Sequence, residues 1–366
     1  MAYTTIDDPS AHFTTTLWTG GGTLSPRNIT NDANSGNFQP DFVWTKGRAT
    51  AYEHQLYDSS RGAGATKGLT TQNSNVEGAY GQYGYLSSIN SNGFTGTSGT
   101  SGQNAYFNVS GQTYVGWQWK ANGGTTSTNT DGDINSTVQA NTDAGFSIIT
   151  YTGSGTTNDT IGHGLGVAPD VAIFKRRDVS TGNWDVQHNA GNPGAIAVAY
   201  RHTLNLTEGT ATNVLSSFSS STIGLSTGGD AQKNVSGSKY VCYAFKAIPG
   251  YSAFGSYYGN SSTNGEFVYL GFKPAFVMVK VLSDPNYGWV MADNKRGPIN
   301  ENEQSLYANT VATETTNDFN GDFLSNGFKL RGSSYPANSG GTNTFAYFAF
   351  AENPFVTSTG IPATAR

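Results

Sequence analysis

Two short patterns recur three times along the chain at nearly constant spacing, and a chain so built must fold as three versions of one unit of roughly a hundred residues. The first is a proline followed by a short apolar stretch ending in lysine: Pro40-Asp-Phe-Val-Trp-Thr-Lys46, Pro169-Asp-Val-Ala-Ile-Phe-Lys175 and Pro274-Ala-Phe-Val-Met-Val-Lys280. The second is an aromatic stretch: Tyr114-Val-Gly-Trp-Gln-Trp-Lys120, Tyr240-Val-Cys-Tyr-Ala-Phe-Lys246 and Phe345-Ala-Tyr-Phe-Ala-Phe350. Tyr114 stands 74 positions after Pro40, and Tyr240 and Phe345 each stand 71 after their prolines. Each copy opens on an aromatic strand ending in Gly or Asn, at Phe13 to Gly20, Phe146 to Gly153 and Phe254 to Asn260. Copies one and three share Asn92-Gly-Phe94 and Asn326-Gly-Phe328, where copy two has Ile223-Gly-Leu225. They also share Asp58-Ser-Ser-Arg-Gly62 and Asp293-Asn-Lys-Arg-Gly297, where copy two has His188-Asn-Ala-Gly191.

The shared positions read as scaffold. Side chains alternate across a strand, so Val115, Trp117 and Trp119 share one face and are expected to pack inward. Asn-Gly before Phe94 and Phe328 predicts hairpin turns with both central residues at positive φ. A proline just ahead of each short strand fits a strand start, where the missing N–H leaves no ladder bond unmade. Gly makes up 47 of 366 residues and charged residues only 12%, yet aromatics reach 13%, enough to pack cores between the Gly, Ser, Thr and Asn turns. Short aromatic and β-branched runs cut by such turns predict an all-β sandwich or barrel architecture.

The organisation follows: an N-terminal arm (1–12), copy one (13–120), a Gly/Ser/Thr-rich linker (121–144), copy two (145–247), copy three (248–352) and a tail (353–366). The join between copies two and three is short, Ala247-Ile-Pro-Gly250, so those two are expected to be held together more rigidly than one and two.

Most chemistries find no footing. The net charge of −5 and the lack of a basic patch exclude nucleic acid as a partner. No apolar run of about twenty residues exists, so no membrane insertion is expected, and Met1 to Phe13 lacks the features of a signal peptide. The lone cysteine, Cys242, lies in an apolar strand and reads as a buried thiol; a chain without disulfides fits a reducing cytoplasm. The five histidines form no HExxH, and His163 in Gly162-His-Gly-Leu-Gly166 reads as a turn residue. The acidic residues are scattered, without the recurring carboxylate pair a glycosidase needs. Asp131-Gly-Asp133 and Asp318-Phe-Asn-Gly-Asp322 are candidate calcium loops but lack the EF-hand spacing, and read as solvated turns. Trp18, Trp44, Trp184 and Trp289 are candidates for a sugar-stacking platform; Trp184 and Trp289 each stand 15 positions after their proline, and that shared position favours packing. No catalytic residue and no cofactor is expected.

The opening Met1-Ala-Tyr-Thr-Thr-Ile-Asp-Asp-Pro9, the aromatic strand with Thr-Gly, the turn and strand Gly162 to Val171, and the aromatic strands at Tyr114 and Tyr240 together resemble repeat-containing virion structural proteins of marine tailed bacteriophages, including cyanophages. The resemblance covers nearly the whole chain and is strongest in copies one and two. It implies three tandem β-sandwiches of jelly-roll or concanavalin-like type, carried on the virion exterior after folding in the host cytoplasm. It brings no catalytic residue. The expected function is a non-enzymatic virion structural protein (tail fibre, tail knob or head decoration) whose partners are other virion proteins. The alternative is a carbohydrate-binding adhesin that recognises a host surface glycan, three weak sites gaining strength by avidity. Fibres and knobs are commonly symmetric, which makes a homo-oligomer the expectation; three copies in one chain can instead supply threefold pseudo-symmetry internally. Ala2, Tyr3, Ile6, Asp7, Asp8 and Pro9 precede the first copy without a core pattern and are read as a particle-attachment arm. Recognition, if any, is expected where the copies differ: Gly62 to Ser91, His188 to Ser216 and Pro298 to Asp322.

Overall fold

The computed structural model describes residues 3–31, 37–188, 200–208, 217–225, 232–333, 336–340 and 343–364, and the fold is all-β. Unit one contains β1 (Phe13–Thr19), β2 (Arg27–Ile29), β3 (Phe42–Gly47), β4 (Gln55–Asp58), β5 (Tyr85–Asn90), β6 (Gly93–Thr97) and β7 (Thr113–Trp119). Unit two contains β8 (Ser127–Asn129), β9 (Ser136–Asn141), β10 (Phe146–Thr152), β11 (Thr160–Gly162), β12 (Val171–Arg176), β13 (Trp184–His188), β14 (Tyr200–Thr203), β15 (Thr222–Gly224) and β16 (Lys239–Phe245). Unit three contains β17 (Ser252–Tyr258), β18 (Phe267–Tyr269), β19 (Phe272–Val281), β20 (Trp289–Asp293), β21 (Asn302–Tyr307), β22 (Thr315–Leu324), β23 (Gly327–Leu330) and β24 (Thr344–Pro354).

One antiparallel order recurs: β1-β7-β3-β4, β10-β16-β12-β13 and β17-β24-β19-β20. The aromatic strand lies inside each, paired on both sides, and it is apolar on both faces because both are buried. Registers fix the correspondence. Phe13 pairs with Trp119, Phe146 with Phe245 and Ser252 with Phe350, so copy three begins at Ser252, two residues before the Phe254 that its aromatic pattern suggests. The sixth residue of that strand is Trp18, Tyr151 or Tyr257. Each ring stacks on the first aromatic of the middle strand, with centroids 5.3, 5.1 and 5.1 Å apart. Each donates to a backbone carbonyl: Trp18 to Phe107, Tyr151 to Lys233 and Tyr257 to Ala337. The glycine that follows is required by close approach, because a Cβ at Gly20, Gly153 or Gly259 would lie 2.0, 2.3 or 2.1 Å from a carbonyl oxygen.

The copies share more than tandem order. One face of each main sheet is closed by short strands of its own unit, giving three local cores around Tyr114, Tyr240 and Phe345. The other face, that of Val115, Trp117 and Trp119, Val241, Tyr243 and Phe245, and Phe348 and Phe350, packs against the other units in one common core. Trp119, Phe245 and Phe350 occupy the same position in the three units, and Phe350 meets both others at ring distances of 5.4 and 5.9 Å. The chain is therefore a closed ring of three units about a pseudo-threefold axis.

Several expectations are corrected. Residues 121–144 are no loose linker: the N–H groups of Ala121, Gly123 and Gly124 donate to the Asp41 carboxylate, and the segment continues as β8 and β9 on the edge of β10. Gln139 of β9 also donates to the Ser59 and Ser60 hydroxyls, so the segment ties unit one to the sheet of unit two. Asp170 caps the matching turn through the Ala247 N–H at 2.6 Å. Copy three has Ala275 there because β24 runs straight on to Pro354, leaving no turn to cap. The two hairpins place Ser91-Asn92 and Ser325-Asn326 at the tips, and neither asparagine has positive φ. Gly93 and Gly327 open the returning strands instead, where a Cβ would lie 2.1 Å from the carbonyl oxygen of Ile29 or Val268. Pro274 sits inside β19 at a register irregularity, where a bulge accommodates its missing N–H.

A shared core makes unfolding cooperative across all three units. Heating is expected to give one calorimetric transition, where independent domains would give up to three. Phe350→Ala should lower the stability of the whole by about 3–5 kcal/mol, the usual cost of emptying a buried phenylalanine site, and still leave one transition.

Candidate functional site

The densest polar chemistry lies where one unit meets the next, and it repeats around the ring. The lysine closing each proline strand is a cation at the end of an apolar run, a residue type that is rarely buried without partners. Lys46 donates to the carbonyls of Gly47 (2.9 Å) and, across the interface, Val311 (3.0 Å). Lys175 donates to Gly182 (2.6 Å) and across to Ser74 (3.0 Å). Lys280 donates to Tyr287 (2.5 Å) and across to Thr207 (3.1 Å). Each unit's lysine thus fastens a loop of the preceding unit, with unit one closing onto unit three. Burial pushes the three ammonium groups down to about 8, 7 and 8.

A second rung runs beside the first. Trp184 Nε1 donates to the Thr70 carbonyl (2.8 Å) and Trp289 Nε1 to that of Thr203 (3.2 Å). Unit one has His54 at this position, with Nε2 2.9 Å from the carbonyl oxygen of Tyr307. Trp44 Nε1 donates to His54 Nδ1 at 2.9 Å, so the proton sits on Nε2 and the histidine donates as the tryptophans do.

The third rung is ionic and occurs twice. Asp58 accepts from the Arg61 backbone N–H and from Arg61 Nε at 2.5 Å, while Arg61 Nη1 lies 2.6 Å from Glu77. Unit two reaches in with Tyr243, whose hydroxyl donates to Asp58 at 2.7 Å, and with Arg177, paired to Glu77 at 2.8 Å. Unit three repeats the set with Asp293, Arg296 and Glu314, against Trp117 and Arg48 of unit one. Trp117 Nε1 donates to Asp293 at 3.0 Å, and the Arg296 guanidinium lies over the Trp117 ring. At the remaining interface the third unit offers Phe348, a ring without a donor. The acid's position there is held by His188, 6.3 Å from Phe348 by ring centroids and 6.1 Å from His202. His202 occupies the core position of Leu69 and Leu306. The donor ring and the acidic acceptor are therefore present together or absent together. Burial holds His188 down at about 4 and His202 well below the usual range.

The residues singled out from sequence fall outside these rungs or take other roles. Trp18, Trp44, Trp184 and Trp289 are all buried, so none can offer a ring face to a sugar. His163 is the expected turn residue, accepting from the Leu165 N–H at Nδ1. Burial pushes the Cys242 thiol well up, as expected of a core cysteine. Asp133 accepts from the Thr160 N–H and hydroxyl, and Asp322 pairs with Arg331 at 2.6 Å. Among the described residues no group of three His, Cys, Asp or Glu side chains could hold a metal.

The arm carries a core pattern after all: Ile6 is buried in the common core and Pro9 is buried in a 3₁₀ turn capped by Asp8. The Tyr3 hydroxyl donates to the Gly271 carbonyl at 2.7 Å, and Asp7 accepts from the Ser358 N–H at 2.6 Å. Ala2 lies outside the described residues, as do 189–199 and 209–216 of the divergent second loop. The first and third divergent loops carry Ser74, Glu77, Val311 and Glu314, and so belong to the interfaces.

The chain belongs to a family described as a domain of unknown function (DUF7483), whose model matches residues 8–354. That span takes in the ring as a whole. No curated protein and no solved structure matches the chain.

Two outcomes follow from this chemistry. Asp58→Ala leaves the Arg61 guanidinium buried without its main counter-ion and should cost about 3–5 kcal/mol in urea denaturation; Tyr243→Phe added to it should cost little more, because their shared bond is already gone. Acidification should weaken the ring from the side of units two and three. His188 and His202 are folded in the neutral form, so below pH 6.5 the unfolded chain binds more protons and stability falls as pH drops. For His188 the loss amounts to about 3 kcal/mol by pH 4. His202→Leu, which installs the residue of the other two units, should move the midpoint of acid unfolding to lower pH.

Proposed function

We propose that the chain is a non-enzymatic structural protein of a tailed bacteriophage, displayed on the particle exterior as a rigid three-lobed block of a tail fibre, tail knob or head decoration. The observation that carries this reading is the use made of buried charge. Lys46, Lys175, Lys280, Arg61 and Arg296 are directed at neighbouring units or at the residues that contact them. Charge buried in this way holds a block in one shape. The resemblance to virion repeat proteins supplies the setting: folding in the host cytoplasm, then incorporation beside other virion proteins. A ring closed within one chain also provides the three-lobed form that fibres and knobs commonly build from three chains.

The test is location. Purified particles of a phage that encodes the chain should contain it in stoichiometric amount, and gold-labelled antibody raised against the purified chain should mark the exterior of intact particles in electron micrographs. Particles that lack the chain, or label only after disruption, would overturn the reading.

A further inference from the structure

Each unit has a seam between the first strand of its main sheet (β1, β10 or β17) and the short strand that covers its local core (β2, β11 or β18). The covering strands correspond through register: Ile29 pairs with Phe94, Ile161 with Ile223 and Val268 with Phe328. In unit two this seam is filled by the chain's own residues 133–141. Thr137 to Asn141 pair antiparallel with Thr150 to Phe146 of β10. On the other side Ile134 bridges Ile161 of β11, its N–H donating to the Thr160 carbonyl at 3.0 Å, and Ser136 donates to the Gly162 carbonyl at 2.8 Å. Val138 is buried in the local core. Unit two thus shows what the seam accepts: an extended strand, laddered to one edge and tied to the other.

Unit three has no such filling among the described residues. Among the described strands β17 and β18 are the two ends of its eight-stranded order, and the four-residue join from unit two is too short to supply a strand. Between them lies a groove of about 310 Å³ flanked by Tyr258, Glu266, Phe267, Tyr269 and Tyr347. Tyr258, Phe267 and Tyr269 are 42%, 39% and 57% exposed, high for aromatic side chains. Ala253 and Gly255 are only half-buried, although Ser147 and Ile149 at the same positions of β10 are fully buried. β17 reads Ser-Ala-Phe-Gly-Ser-Tyr-Tyr, without the charge or proline that ordinarily guards an edge. The arm meets the groove at one end, where the Tyr3 hydroxyl meets Gly271 and Tyr269.

We propose that the seam of unit three receives an extended polypeptide segment of a partner protein as an added strand, antiparallel to β17, as residues 137–141 lie on β10. The ladder supplies affinity independent of sequence, and the groove supplies selection. Tyr258, Phe267 and Tyr269 favour apolar or aromatic side chains at alternate positions of the guest. Exposed Glu266 favours a basic residue beside them. Proline is excluded from the centre of the guest, where its missing N–H would break the ladder.

The test uses the full purified chain as bait for a random twelve-residue peptide library, followed by hydrogen exchange on the complex. Enriched peptides should bind saturably and slow exchange at Ala253 to Tyr258 while leaving β10, whose edge is already filled, unchanged. A central proline in the peptide should weaken binding at least tenfold. Tyr258→Lys, a change at an exposed edge position, should do the same with an unchanged melting temperature. The proposal fails if no peptide is enriched, if protection falls on other strands, or if the proline peptide binds equally well. It also fails if a glycan array, and not the library, yields ligands whose binding depends on Tyr258 and Tyr269, which would make the groove a sugar platform. Because the purified chain is used alone, none of these results bears on where the protein sits in a particle.

Discussion

Trp119, Phe245 and Phe350 meet at the centre of the ring, and the rest of the structure depends on that meeting. Each comes from a strand that is central in its own sheet, so none can withdraw without opening a ladder on both sides. Around them the main sheets face one another across apolar side chains that no single unit could cover. A lone unit would expose Trp117 or Tyr243 and their neighbours to water, a contiguous patch well beyond what a soluble monomer carries. Association of the three is accordingly part of folding. The buried cations at the interfaces become tolerable only because the aromatic centre brings backbone carbonyls and carboxylates within reach of them.

Much of this architecture was legible in the sequence, because a repeat projects the same packing three times. The spacing of proline and aromatic stretches located the middle strands, and alternation identified which face of Trp117 turns inward. It did not reveal that this face meets other units, since a strand buried on both sides reads the same whatever covers it. Register is not legible in copy three, where Phe254 looks like the counterpart of Phe13 while hydrogen bonding places Ser252 there. The segment after Ala121 has the composition of a linker, yet Asp41 and the free edge of β10 recruit it into a sheet, a tertiary effect that composition cannot carry.

The interfaces left a fainter trace. Lys46, Lys175 and Lys280 recur at the end of every proline strand, and a cation repeated at the end of an apolar run is itself a sign of a buried partner. The Asp-x-x-Arg-Gly run occurs in the copies whose neighbours present Tyr243 or Trp117. It is missing from the copy whose neighbour presents Phe348. That correlation is visible in the sequence only once the ring order is known, because the partner of copy one is copy two and the partner of copy three is copy one.

The two ends of the chain lie side by side: Tyr3 packs against Phe355 with ring centroids 6.4 Å apart, and Asp7 is bonded to Ser358. Any polypeptide that precedes residue 3 or follows residue 364 therefore departs from one corner of the block. A pull applied through both ends acts first on the contacts of the arm with Gly271, Pro249 and Ser358. The block is hung, like a pendant, from a single corner.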